Sequence, residues 1–195
     1  MLQKPLDIAV LVYDGVEAAD YVNPMAVLEK TNDYIDHANT IRLISKDGAP
    51  ATASNGTLVG PAIPFAQTGI IDILIVPGGT GVFSAITDAR ITGFIRDQYE
   101  SGALSHILSV CSGAYLLAEA GLLSGREAAV TDRLKDDFKK RYPNVRVVDD
   151  SPAVADGGRV VTSGQIFKGI GAAYWLVERL YGSEVLEKVR KRLGY

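Results

Sequence analysis

Short apolar runs rich in β-branched residues alternate with helix-like stretches along the chain. The run 73–76 shows no polar alternation, which is typical of a strand buried on both faces of a parallel sheet. Asp88 and Asp132 stand where they would cap two of the helices. We predict strands at 6–13, 40–45, 72–79, 103–110, 127–131, 145–148 and 158–163, and helices at 18–31, 88–101, 112–121, 132–141, 165–181 and 183–193.

This alternation predicts an α/β fold, a doubly wound and mostly parallel sheet with helices on both faces. The segment 49–65 departs from the alternation. Within it, Asn55-Gly56 lies between two short apolar stretches and predicts a small β-hairpin insertion. No internal repeat, low-complexity tract or linker divides the sequence, so we expect a single domain over 1–195.

The composition is 47% hydrophobic and 22% charged, with a net charge of −3. That charge gives no reason to expect nucleic acid or an anionic membrane as a partner. The single cysteine cannot form an internal disulfide. We find no signal-peptide pattern and no apolar stretch of about 20 residues, so we expect a cytoplasmic protein.

The most informative segment is the junction where the strand 103–110 runs directly into the helix 112–121. Cys111 stands at this junction, and the small residues Ser112 and Gly113 follow it. The serine version of such a sharp turn is the nucleophile elbow of α/β-hydrolases. The N–H groups of a helix start would lower the thiol pKa and favour the thiolate. The alternative is a buried cysteine that acts as a small hydrophobe, but an elbow favours a reactive nucleophile.

Two further loops end strands that we expect beside Cys111. A Pro-Gly-Gly turn contains Gly78 and Gly79, and the N–H of this loop together with that of Ser112 would form an oxyanion hole. Glu17 and Asp20 follow the first strand. Repulsion by a thiolate would keep either acid protonated and able to donate a proton to the substrate. On spacing alone, both acids are better explained as residues that stabilise a helix start.

The sequence contains two histidines, His37 and His106. His37 lies in a polar loop, and His106 lies five residues before Cys111, well below the elbow. Since no histidine follows Cys111, the Cys-His pairing of many hydrolases is missing. We also expect no metal site, because no Cys/His cluster exists.

Over nearly its whole length the sequence resembles the ThiJ/PfpI superfamily, whose fold is flavodoxin-like and related to that of glutamine amidotransferases, and the resemblance rests on four blocks. The blocks are DGVEAADYVNPMAVL, DILIVPGGTGV, ILSVCSGAYLLAEAGLLSGREAAVT and GRVVTSGQIFKGIGAAYWLVERLYG. The sequence is most similar to the isonitrile hydratase-like branch, which includes N-terminal domains of AraC-type regulators. The resemblance implies that Cys111 is the nucleophile, that Asp20 rather than Glu17 contacts it, and that Gly79 and Ser112 are the oxyanion donors.

The resemblance implies a cysteine-dependent enzyme, a hydro-lyase of the isonitrile hydratase type, that acts on a small electrophile without a dissociable cofactor and forms a homodimer. The chain departs from this branch at Asn23, where glycine is usual, at 131–133, where Thr-Asp-Arg replaces Thr-His-Trp, and at 169–171. The alternatives are a non-catalytic ligand or redox sensor, a glyoxalase or deglycase, and an intracellular protease or amidase.

Overall fold

The computed structural model describes residues 4–148, 153–165 and 168–194. Within these ranges the strands and helices alternate in the expected order. The strands are β1 (Asp7–Leu11), β2 (Thr40–Ser45), β3 (Ala51–Thr52), β4 (Leu58–Val59), β5 (Ile63–Pro64), β6 (Ile73–Val76), β7 (His106–Val110), β8 (Glu127–Ala128), β9 (Arg146–Val147), β10 (Val154–Asp156) and β11 (Val160–Ser163). The helices are α1 (Ala18–Lys30), α2 (Val82–Ala85), α3 (Ala89–Glu100), α4 (Ala114–Glu119), α5 (Lys135–Arg141), α6 (Lys168–Tyr181) and α7 (Ser183–Leu193).

The central sheet has the strand order β10-β11-β7-β6-β1-β2-β5. All neighbouring pairs are parallel except β10 with β11. The chain moves from β1 to β2 in one direction and from β6 to β7 in the other. Because such crossovers are right-handed, their helices lie on opposite faces of the sheet, which confirms the doubly wound fold. The direction changes between β1 and β6, and the carboxyl ends of these strands form the crevice where such sheets bind ligands.

The middle of the sheet lies in the hydrophobic core. All four residues of β6 are buried, and so are the last four residues of β7. Each large aliphatic side chain buried in this way contributes about 1.5–3 kcal/mol to folding. The apolar run without alternation in β6 therefore has the physical origin predicted for it, which is burial on both faces.

The segment 49–65 forms the predicted hairpin, since β3 and β4 pair antiparallel and Asn55-Gly56 lies in the turn between them. The next strand, β5, was not predicted. It pairs with β2 and forms one edge of the central sheet. The strand β10 and the helix α2 were also not predicted. These elements have two to four residues, too few for a hydrophobic period to show.

Of the two predicted helix caps, the structure confirms Asp88 and not Asp132. Asp88 caps α3, because its Oδ1 accepts the N–H of Arg90 at 2.9 Å. The prediction for Asp132 is wrong, because no side chain caps this helix start. The carboxylate of Asp132 instead binds Lys135 and Gln165, each at 2.6 Å. Lys135 begins α5 three residues later, whereas Gln165 is distant in sequence, and that contact is one that the sequence around Asp132 does not reveal.

The surface of the described residues shows no large apolar area. The exposed large apolar side chains belong to separate elements, and no described helix is long and apolar enough to span a bilayer. They are Val22, Leu58, Ile70 and Phe83. Single exposed apolar residues of this kind are normal for a protein surface.

Candidate active site

Cys111 directly follows β7 and has a φ of 58°, a left-handed value that no other described residue except glycine adopts. A short 3₁₀ turn over Cys111–Gly113 then leads into α4. A Cβ on Gly113 would collide with the carbonyl oxygen of Val76 in β6, so only glycine permits this close approach. Backbone strain at a reactive side chain is typical of functional sites. The structure therefore has the geometry predicted for a nucleophile elbow.

Asp20 lies in the first turn of α1 and is completely buried. Its Oδ2 accepts the N–H of Gly78 at 3.0 Å. Glu17 lies at the start of the same helix, where its side chain accepts the N–H of Ala19 at 3.4 Å. Thus Glu17 is the cap, and Asp20 is the acid that points into the crevice between β1 and β6.

The two loops of this crevice are joined through their backbones. The N–H of Glu17 donates to the carbonyl oxygen of Gly78 at 2.8 Å, and Val16 and Gly79 form an isolated bridge. The hydroxyl of Tyr13 donates to the carbonyl oxygen of Pro77 at 2.9 Å. Because these bonds cross the point where the chain direction changes, they fix Asp20 relative to the glycine turn.

Burial raises the pKa of Asp20 from its ordinary value of 3.8 to about 7. The N–H of Gly78 opposes this effect, because it stabilises the carboxylate, whereas the nearby charge of Glu17 adds to it. Cys111 and Arg133 lower the pKa by smaller amounts. Asp20 therefore changes its protonation state close to neutral pH, as a group that transfers protons should.

The pKa of Cys111 is raised, so the predicted lowering by a helix start is wrong. Burial is the largest cause, and the charge of Asp20 is the second. The hydroxyl of Thr131, the N–H of Ser112 and the charge of Arg133 act in the opposite direction but do not compensate. The helix after the elbow, α4, has only six residues, and a 3₁₀ turn separates it from the sulfur.

The carboxyl group of Asp20 retains one free position. Its Oδ1 is buried and has no hydrogen-bond partner of regular geometry among the described residues. Cys111 nevertheless acts on Asp20 through its side chain, and Asp20 acts on Cys111 through its charge. The two groups are therefore neighbours without a closed hydrogen bond, and Oδ1 is available for a proton exchanged with sulfur or substrate.

The N–H groups of the two predicted oxyanion donors act on different partners in the structure. The N–H of Ser112 acts on the Cys111 sulfur and lowers its pKa. The N–H of Gly79, in contrast, donates to the hydroxyl oxygen of Ser112 at 3.0 Å. The Gly79 donor is therefore already occupied, which the prediction of a free oxyanion hole did not include. The sequence could not show this bond, because it joins side chain and backbone across two strands.

Thr131 and Arg133 act on the sulfur as well, and neither was predicted as a site residue. Both follow β8, and Arg133 lies in a 3₁₀ turn over Asp132–Leu134. The available signal was the departure of 131–133 from the pattern of the resembled branch. What was missing was the three-dimensional position of this segment, since β8 pairs with β9 outside the central sheet.

The histidines lie away from this site. His106 begins β7, at the opposite end of the strand from Cys111, and contacts Ser105 and Trp175. His37 is exposed in the loop before β2. Among the residues that the structure describes, no group of three His, Cys, Asp or Glu side chains could hold a metal ion. The site therefore consists of one thiol, one carboxyl group and the hydrogen-bond donors around them.

Comparison with known proteins agrees with this fold. The chain is 30% identical over 190 residues to the isonitrile hydratase of Pseudomonas putida, covering 97% of this chain and 78% of that protein. It is 30% identical to the HTH-type transcriptional regulator CdhR of Pseudomonas aeruginosa, covering 79% of this chain and 45% of that protein. The crystal structure of a ThiJ/PfpI family protein from Pseudomonas syringae superposes with a TM-score of 0.85 at 25% identity, covering 98% of this chain and 75% of that one. The DJ-1/PfpI family model matches residues 7–178, and the chain therefore belongs to the DJ-1/PfpI family.

Proposed function

We propose that the protein hydrates an isonitrile to the corresponding N-formamide, with Cys111 as nucleophile and Asp20 as the group that transfers protons. The observation that carries this proposal is the pairing of a strained, buried thiol with a buried carboxyl group of pKa about 7. The similarity to an isonitrile hydratase over 97% of the chain supports the same reaction.

In the first step the carboxylate of Asp20 takes the thiol proton while sulfur attacks the terminal carbon of the isonitrile. A carbon–sulfur bond forms, the electrons of one carbon–nitrogen π bond become a lone pair on nitrogen, and the carbon keeps the lone pair that it had in the isonitrile. Asp20 returns the proton to that carbon, which leaves a thioimidate, R–N=CH–S–Cys111. A raised thiol pKa requires such a base, because little thiolate exists beforehand.

In the second step water adds to the thioimidate carbon and Asp20 takes one of its protons. The carbon–sulfur bond then breaks, and sulfur regains a proton from Asp20. The released R–N=CH–OH tautomerises to the formamide R–NH–CHO. The sum is addition of one water molecule, and both side chains return to their starting protonation.

The occupied N–H of Gly79 favours an isonitrile over a carbonyl substrate. Attack on an amide or aldehyde places negative charge on oxygen, which a free pair of N–H donors would stabilise. Attack on an isonitrile places the charge on carbon, which Asp20 neutralises with a proton. The bond from Gly79 to the hydroxyl of Ser112 therefore removes a donor that this reaction does not need.

The raised thiol pKa also favours catalysis over redox sensing. Oxidation of cysteine proceeds through the thiolate, so a thiol with a raised pKa oxidises slowly. Cys111 is also buried, with 7% of its surface exposed, and this burial limits the access of oxidants to the sulfur. These two properties favour a catalytic site in which the thiol of Cys111 loses its proton only as it attacks the substrate.

The test is incubation of the purified protein with cyclohexyl isonitrile, with the N-formamide measured by mass spectrometry. We expect product formation that is lost in Cys111→Ala and reduced about 10²–10⁴-fold in Asp20→Asn, because the variant lacks a titrating carboxyl group. Alkylation of Cys111 by iodoacetamide should not fall with turnover in Asp20→Asn, because the loss of the Asp20 charge lowers the thiol pKa. Methylglyoxal is tested as an alternative substrate in a second assay. Its consumption without isonitrile hydration would refute the proposal in favour of glyoxalase chemistry.

A further inference from the structure

The side chain of Ser112 connects the elbow to the glycine turn. Ser112 follows Cys111 in the 3₁₀ turn and is completely buried. Its hydroxyl oxygen accepts the N–H of Gly79 at 3.0 Å and lies 3.5 Å from the carbonyl oxygen of the same residue. A Cβ on Gly78 would lie 2.4 Å from this hydroxyl oxygen, so the hydroxyl also packs against Gly78. One side chain of the elbow is therefore held against two residues of the glycine turn.

The glycine turn also holds Asp20, because the N–H of Gly78 donates to Oδ2 of Asp20 at 3.0 Å. The turn and the start of α1 are joined again by the N–H of Glu17, which donates to the carbonyl oxygen of Gly78 at 2.8 Å. These bonds make Asp20 and the turn one unit. The sulfur belongs to another unit, since Cys111 directly follows β7. The distance between the carboxyl group and the sulfur therefore depends on how the turn is held against the elbow.

The pairing of β6 with β7 ends before it reaches these two loops. Its last paired residues are Val76 and Ser109, and Ser109 lies two residues before Cys111. Beyond that pair, the hydroxyl of Ser112 binds the turn to the elbow. A buried N–H without a partner is unfavourable, so the turn should shift in a variant that lacks this hydroxyl. Asp20 would move with the turn.

We propose that Ser112 is a positioning residue, whose hydroxyl holds the glycine turn, and Asp20 with it, at the separation from Cys111 that proton transfer requires. Catalysis depends steeply on such separations, and a displacement of about 1 Å can lower a rate by a factor of about 10². The inference rests on the proposed function, since it concerns the same pair of groups. It gives the side chain of Ser112 a role separate from that of its backbone N–H.

A double-mutant cycle tests the inference without catalysis. The pH dependence of alkylation by iodoacetamide measures the thiol pKa of Cys111, and Asp20→Asn should lower this pKa because it removes a neighbouring negative charge. We expect the shift to be about 0.5 pH unit smaller when Ser112→Ala is also present, since two charges that separate by about 1 Å interact more weakly by about this amount. An equal shift in both backgrounds would refute the positioning role.

Turnover is tested with Ser112→Thr and Ser112→Val, a matched pair of variants. Their side chains have almost the same shape, but only Ser112→Thr retains a hydroxyl that can accept the N–H of Gly79. With cyclohexyl isonitrile we expect kcat to be about tenfold lower in Ser112→Val than in Ser112→Thr. KM should be nearly equal in the two variants, because the hydroxyl binds the glycine turn rather than the substrate.

The two measurements separate the inference from the proposed function. If cyclohexyl isonitrile is hydrated and kcat is equal in the matched variants, the positioning role is refuted while the proposed function stands. If no isonitrile is hydrated but Ser112→Ala reduces the effect of Asp20→Asn on the thiol pKa, the positioning role stands and the proposed reaction fails.

Discussion

At the residue scale, Asp20 decides how the thiol of Cys111 is used. Burial favours the protonated form of both groups, and the charge of Asp20 raises the pKa of the thiol further. Near pH 8 the carboxyl group is largely ionised and the thiol retains its proton. The pair then holds one proton, which is the state required for Asp20 to act first as base and then as acid.

The rate of isonitrile hydration should therefore decrease as the pH falls through about 7. Below the pKa of Asp20 the pair holds two protons and no base remains, so kcat/KM should decrease about tenfold per pH unit. A profile of kcat/KM from pH 5 to 9 measures this. The acidic limb should disappear in Asp20→Asn, and a limb that persists in that variant would assign the titration to another group.

At the element scale, the junction from β7 to α4 depends on how closely it approaches β6. A Cβ on Gly113 would collide with the carbonyl oxygen that ends β6, and a Cβ on Gly78 would collide with the hydroxyl and the backbone nitrogen of Ser112. These contacts bring the glycine turn and the elbow together. A side chain on either residue would push apart the two loops that carry the site.

We expect Gly113→Ala to lower the free energy of unfolding by about 1–3 kcal/mol, because the added methyl group meets backbone that cannot move freely. Gly93→Ala provides the matched control. Gly93 lies within α3, where a Cβ meets no atom within 4 Å, so this variant should gain about 0.5–1 kcal/mol. Urea denaturation of the three proteins measures both effects. Equal stability of the two variants would contradict the role assigned to the junction.

At the scale of the whole molecule, the site affects the stability of the fold. Asp20 binds a proton more tightly in the folded protein than in the unfolded chain, because its pKa rises from 3.8 to about 7. Its contribution to stability is therefore fully present below about pH 4 and is lost as the pH rises to about 7. Above that range the fold contains a buried carboxylate.

Asp20→Asn should become more stable relative to the natural protein as the pH rises from 4 to 8, by up to about 4 kcal/mol. The asparagine oxygen can still accept the N–H of Gly78, so the comparison isolates the charge. Urea denaturation at several pH values measures the difference. A difference that does not change with pH would show that burial does not penalise the charge of Asp20.

The dimer implied by the family resemblance stays a prediction at this scale. The apolar residues of the last two helices are all buried or partly buried within the single chain, and they pack on the core. They include Tyr174, Trp175, Leu176, Leu186 and Val189. These side chains are therefore accounted for by packing within one chain.

Much of the fold was predictable from the sequence because its signals are local. The apolar run of β6 and the capping residue Asp88 act within a few residues of the chain, and the structure confirms both. Asn55-Gly56 specifies its hairpin for the same reason. The short strands β5 and β10 depend on neighbours in the sheet, and no local signal predicts them.

By itself, the sequence determined the strand-helix alternation, the elbow at Cys111 and the set of acids that follow β1. Each of these depends on residue types and spacings within one segment. Only the tertiary structure decided that Asp20 is buried against the glycine turn while Glu17 caps its helix. It also decided that the thiol pKa is raised rather than lowered. The physical reason is that burial and charge depend on distances between loops that the fold alone brings together.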